Sequence, residues 1–396
     1  MPTSVPTRYT NSQPIDANRA PLAGVKVLDL TRLLPGPVCT LHLADLGADV
    51  VKIEDTAAGD YAAPALRALV HRNKRALRLD LKQPQGVEVL QRLVRTADVL
   101  VESFRPGVMD RLGVGYETLS RINQRLVYCS ITGYGQTGPY RNEPGHDLNY
   151  CALAGTSDQI GRAGDLPALS NVPIADLLGG SLTSLAGLLA ALFDAGRTGR
   201  GRHVDIAMAD SMLAHTLVPM VTLATHGQTR PAGTDKLSGG LPCYGLYRTQ
   251  DDRQLAVGAL ERKFWDVFCD VIGRADLKSM HLPRDAATTE SVRADVAELI
   301  GSQPLAHWVE RFRGSECCVT PVLRLNEALD DPHFQARGMV VQSEGSRQFA
   351  CPVKMSGFSF EVRQGAPSPG QHSDEILAEV GYNEAERDGL RAQGVV

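Results

Sequence analysis

The chain has 396 residues, enough to bury a sizeable core and to divide into two domains. Its 41 Lys and Arg against 45 Asp and Glu give a formal net charge of −4, so bulk charge offers no attraction for nucleic acid or a membrane surface. Eight cysteines are too few and too irregular for a disulfide framework, and they read as reduced, mostly buried thiols.

Residues 1–20 lack the apolar stretch of a secretory signal and read as a polar, disordered leader, with a reducing cytoplasm as the default location. No apolar run approaches the roughly 18 residues that a membrane helix requires. Residues 24–30 read as a first strand, 41–46 as the end of a helix closed by Gly47, 49–53 as a second strand and 77–81 as a third. A helix is expected over 85–96, with apolar residues at Val87, Leu90, Leu93 and Val94 on one face. Strands follow at 98–102 and 126–132. This alternation predicts an α/β fold, a doubly wound parallel sheet of Rossmann-like type. Residues 176–195 form a long helix of Ala, Gly, Leu and Ser that packs closely on its neighbours, within the subunit or across a dimer.

The pattern changes after Gly227: residues 243–248 and 254–258 look like hairpin strands, and helices follow at 264–272 and 291–301. The expected organisation is a large domain over 21–227, a smaller α+β domain over 228–318, and a return segment with a C-terminal tail over 319–396.

Gly133-Tyr-Gly-Gln-Thr-Gly138 matches G-x-G-x-x-G literally, but Pro139 and Pro144 forbid the helix that a dinucleotide fingerprint needs next. A ligand-facing loop is the better reading. It leads into Gly145-His146-Asp147-Leu148-Asn149-Tyr150, where an imidazole, which titrates nearest neutrality, sits beside a carboxylate. His146 alone could equally be a structural loop histidine. Asp176 opens the small-residue helix, as an N-cap would. Glu261 ends an apolar strand and precedes a helix, a place that the helix dipole favours for an acid. Arg72, Lys74, Arg75, Arg78 and Lys82 are either a solvated basic surface or a cradle for phosphates, which take several donors.

The whole pattern resembles the family III CoA transferases and, within them, the α-methylacyl-CoA racemases. The markers run in order: Pro-Leu-x-Gly-x-Lys-Val-Leu-Asp-Leu at 21–30, Leu-Gly-Ala-Asp-Val-Val-Lys-Ile-Glu at 46–54, Arg-Asn-Lys-Arg at 72–75, Phe-Arg-Pro-Gly at 104–107 and Thr-Gly-Tyr-Gly-Gln-Thr-Gly-Pro at 132–139. The resemblance implies an interlocked dimer. It also implies coenzyme A contacts at Leu79, Asp80, Leu81 and Lys82, at Ser103, Phe104 and Arg105, at Arg111, and at Gly145, Asp147, Leu148, Asn149 and Tyr150. Coenzyme A would enter as part of the thioester substrate, with no metal or redox cofactor.

Two chemistries share such a scaffold. In the transferases, an aspartate matching Asp176 attacks the thioester. In the racemases, the same aspartate and a histidine matching His146 flank the α-carbon, supported by a glutamate matching Glu261. The presence of His146 and Glu261 favours racemisation of 2-methyl-branched acyl-CoA thioesters, with CoA transfer as the alternative. Arg262 departs from the proline usual after that glutamate, and Asp55 from a proline or basic residue.

Overall fold

The computed structural model describes residues 20–57, 59, 62–343 and 345–396, so nearly all of the expected leader lies outside the described residues. The described chain falls into two compact units. The first holds residues up to Ala154 with Ser170–His215 and Gln335–Val396; the second holds Gly155–Leu169 and Thr216–Phe334.

The first unit is built on six strands: β1 (Lys26–Asp29), β2 (Asp49–Glu54), β3 (Lys74–Arg78), β4 (Val99–Glu102), β5 (Val127–Thr132) and β6 (His203–Ala207). They lie in the order β3-β2-β1-β4-β5-β6, and every pairing is parallel. Strand interiors such as Val99–Val101 are wholly buried, as a parallel sheet covered on both faces requires. Helices α1 (Pro35–Asp45), α2 (Pro64–Val70) and α3 (Pro84–Val94) each begin with proline, whose missing N–H is harmless in a first turn. Leu90 and Leu93 of α3 pack with Leu28 and Leu100 under one face of the sheet. Short α4 (Val108–Arg111) and α5 (Tyr116–Ile122) follow β4, and α6 (Asp147–Leu153) follows β5.

Three expectations shift here. The third strand runs over Lys74–Arg78 instead of 77–81, because ion pairs allow Lys74 and Arg75 to enter the sheet. The small-residue helix begins as a π-helix, Ala175–Leu182, and continues as α7 (Thr183–Thr198). Taken as one, Ala175–Thr198 is long and apolar enough to cross a membrane, contrary to the reading that no run approached that length. Its Leu188, Ala191 and Ala195 nevertheless belong to the protein core, with Cys39 and Val127. A helix α8 (Met208–His215) completes the middle of this unit.

The second unit opens with α9 (Leu217–His226) and carries an antiparallel sheet of β7 (Tyr244–Arg248), β8 (Gln254–Gly258) and β9 (Val319–Pro321), in that order. Helices α10 (Arg262–Ile272) and α11 (Ala286–Gly301) enclose a core containing Trp265, Phe268, Trp308 and Phe312. The boundaries expected at 227 and 318 fall inside this unit, since β9 pairs with β8. Seven cysteines are buried and Cys318 is exposed.

At the centre of the first unit, the Asp29 carboxylate is fully buried. It accepts the Thr31 N–H at 2.9 Å, the Thr31 hydroxyl at 2.6 Å and the Thr40 hydroxyl at 2.5 Å. Lys74 Nζ lies 3.2 Å from it and also donates to Pro37 O at 2.9 Å and Thr40 Oγ1 at 2.8 Å. Lys52 Nζ is 3.6 Å away. Burial by itself would raise the Asp29 pKa, but Lys52, Lys74 and the two threonines hold it well below the ordinary carboxylate range. Burial depresses Lys74 to about 8 despite Asp29.

Asp29→Asn should therefore destabilise the protein by about 3–5 kcal/mol in urea unfolding near neutral pH, because two buried ammonium groups lose their counter-charge. The contribution of Asp29 is present above its ordinary pKa of 3.8 and is lost as pH falls below that toward its lower folded-state value. The gap between variant and wild type should narrow accordingly in acid.

Candidate active site

The direction of winding reverses between β1 and β4, and ligands of open parallel sheets bind at such a point, beyond the strands' carboxyl ends. A cleft of about 850 Å³ lies there. Its walls come from Arg32 and Pro35 after β1, Ser103, Phe104 and Arg105 after β4, and Thr132, Gly133 and Tyr134 at the end of β5. Gly145, His146, Asn149, Tyr150, Asp176 and Met208 also line it, as do Arg141 and Glu143.

His146 is the residue before α6, in extended conformation, and its N–H donates to Asn149 Oδ1 at 3.0 Å. That bond fixes the start of the helix and leaves the histidine side chain exposed at the cleft. Tyr150 donates its hydroxyl to the Gly145 carbonyl. Its ring passes so close that a Cβ would stand 2.7 Å from it at Gly145 and 2.3 Å at Gly133. Both glycines are thus required by packing.

Asp176 is not an N-cap. It is the second residue of the π-helix, and its own N–H donates to Asp147 Oδ1 at 3.0 Å. Ser181 Oγ donates to the Asp176 carbonyl at 3.1 Å and to the Pro35 carbonyl at 2.7 Å. The wider π turn is a less stable arrangement that recurs at functional sites, and here it sets the carboxylate into the cleft. Burial raises the Asp176 pKa to about 6; the Asp147 charge adds to the rise and His146 opposes it. A carboxyl so tuned exchanges protons near neutrality.

A smaller cavity of about 330 Å³ shares Arg32, Phe104 and Val108 with this cleft. Its other walls include the apolar Leu30, Ile53, Leu79 and Leu81, with Lys82 at the rim. The Arg32 guanidinium stands 4.8 Å over the Phe104 ring. Both Glu54, paired with Arg67, and Asp55 line it, and Asp55 has Lys82 Nζ at 3.8 Å and Arg32 Nη2 at 3.9 Å. The two hollows together suit an elongated ligand with one reacting end.

The basic cluster does not serve such a ligand as a whole. Arg72 is buried and pairs with Asp45 at 2.6 Å, Lys74 pairs with Asp29, and Arg75 binds Asp49 and Glu379, each at 2.7 Å. These three residues hold the fold together, whereas Arg78 and Lys82 remain exposed.

Of the other expected contacts, Asp80 is engaged in a turn, accepting the Lys82 N–H at 3.0 Å. Arg111 lies on α4, while Asp147 and Leu148 lie in the first turn of α6. Glu261 is exposed at the start of α10 and belongs to the second unit, whereas His146 and Asp176 belong to the first. Sequence reasoning missed Arg32 and Leu33, the latter with a left-handed φ of 64° beside the cleft. Their place directly after the first strand of a parallel sheet is the signal that could have found them.

Replacing Asp147 by Asn removes a negative charge next to Asp176. The midpoint for Asp176, about 6 in the native protein, should move downward, as followed by carboxyl NMR titration. An unchanged midpoint would show that burial alone sets it.

The model of CoA-transferase family III matches residues 22–373. Human α-methylacyl-CoA racemase is 36% identical over 379 residues, covering 95% of this chain and 97% of the relative. The acetyl-CoA:oxalate CoA-transferase of Acetobacter aceti is 33% identical, covering 93% of this chain and 97% of that protein. The crystal structure of a CAIB/BAIF family protein from Brucella suis superposes with a TM-score of 0.80 at 28% identity, over 91% of this chain and 99% of that one. With its six-stranded parallel sheet and nearly complete coverage, the chain belongs to CoA-transferase family III.

Proposed function

We propose that the protein inverts the α-carbon of 2-methyl-branched acyl-CoA thioesters by two-base proton transfer. The observation that carries this reading is the pairing, in one cleft, of His146 with an Asp176 whose pKa burial has raised to about 6. An imidazole and a carboxyl whose pKa burial has raised can each act as acid or base, according to the hand of the substrate. One removes the α-proton, charge develops on the thioester oxygen, and the other returns a proton to the opposite face. The backbone N–H of Asp147, at the start of α6, is the donor we assign to that oxygen. Glu261 is assigned the role of supporting carboxylate in this chemistry.

Coenzyme A would extend from the cleft toward the apolar cavity, past Arg32 and Phe104, with Lys82 near its phosphates. We further propose that the enzyme works as an interlocked homodimer in the cytoplasm. On α9, Leu217 is 67% exposed and Val221 66%, an apolar surface that a second copy would cover. CoA transfer through an Asp176 acyl intermediate is the second reading, favoured by the 33% identity to the oxalate transferase.

Incubating a single epimer of a 2-methylacyl-CoA in deuterated water should give α-deuterium in both epimers. His146→Ala should slow that exchange about 10²- to 10⁴-fold. Full exchange in this variant, or none in the native enzyme, would sink the racemase reading. An Asp176 hydroxamate formed with acyl-CoA and hydroxylamine would support transfer instead.

A further inference from the structure

Beneath the cleft, on the α5 side of the sheet, lies a group of polar side chains that the proposed chemistry does not use. Glu102 closes β4 and is only 4% exposed. Its Oε2 accepts the Phe104 N–H at 2.8 Å. Its register partner on β5, Ser130, also hydrogen-bonds it. Ser130 Oγ in turn lies 3.0 Å from His203 Nε2, and that imidazole stacks on Tyr116 at 5.0 Å. Phe104 forms a wall of both hollows, and Arg105 lines the cleft as well as the pocket around Glu102. A second carboxylate does the same for the neighbouring loop: Asp205 accepts the Gln136 N–H at 3.1 Å, next to the cleft residues Gly133 and Tyr134.

We infer that Glu102 is a positioning residue, holding the wall formed by Ser103, Phe104 and Arg105 in the shape that binds the CoA thioester, and so acts on affinity more than on proton transfer. This rests on the acyl-CoA reading above. A carboxylate acceptor binds an N–H roughly twice as strongly as a neutral one, so the ionisation of Glu102 decides how firmly Phe104 is held. Burial raises its pKa to about 7; Ser130 and the Phe104 N–H oppose the rise, and Asp110 and Asp205 add to it. Asp110 of α4, Glu117 of α5, Tyr128 of β5, His203 of β6 and Arg105 also border the same pocket. With a midpoint near 7, Glu102 is mostly charged at pH 8 and mostly neutral at pH 6.

The test is calorimetric binding of CoA at pH 6, 7 and 8, with α-proton exchange measured at saturating acyl-CoA. Glu102→Gln should raise the Kd about three- to tenfold at pH 8. It should converge with the native protein at pH 6, where native Glu102 is itself neutral, and exchange at saturation should stay within about twofold. Ser130→Ala should move the native midpoint upward, and it carries the test should the Gln variant fold poorly. A Kd ratio equal at pH 6 and pH 8, or slower exchange at unchanged Kd, overturns the assignment. Absence of CoA binding in the native protein at every pH would instead remove the acyl-CoA reading, and the inference with it.

Discussion

Asp29 stays ionised inside the first unit only because Lys52, Lys74, Thr31 and Thr40 converge on it from three parts of the chain. That convergence ties β1 to β2, β3 and the start of α1 at the carboxyl edge of the sheet. A lone buried charge would be prohibitively costly, so these segments must meet for any of them to fold. The loop from Thr31 to Pro35, which carries the cleft residues Arg32, Leu33 and Pro35, hangs directly from this network. The pair of Lys74 with Asp29, and those of Arg75 with Asp49 and Glu379, admit both residues to a strand and so take them away from ligand binding.

The cleft depends on a second tie of the same kind. Asp147 accepts the Asp176 N–H, joining the start of α6 to the π-helix across 29 positions of sequence. The Asp147 charge also helps to raise the Asp176 pKa. One side chain therefore contributes both geometry and proton affinity. Because the π-helix runs on into α7, whose Leu188 and Ala191 lie in the core, the carboxylate is held by the body of the unit and not by a loose loop.

Much of this was legible from residue order. Alternating apolar runs gave the parallel sheet, and the hairpin at Tyr244–Arg248 and Gln254–Gly258 appears where composition changed. The G-x-G-x-x-G decoy was recognisable because proline cannot follow it into a helix. His146, Asn149, Tyr150 and Asp176, all singled out by the sequence, line one cleft. The third strand was misplaced because basic residues seldom signal a strand. The role of Arg72, Lys74 and Arg75 was misread because their partners Asp45, Asp29 and Asp49 lie 27, 45 and 26 positions away.

By itself, the sequence determined the periodicities, the turn chemistry and the ordered motifs that mark the family, since these are local and survive without knowledge of contacts. Only the tertiary structure decided which charges are structural, which face the cleft, and that Asp176 sits in a π turn bonded to Asp147. Those outcomes depend on burial and on partners distant in the chain. A charge's pKa and role follow from its surroundings in space, and residue order alone does not specify them.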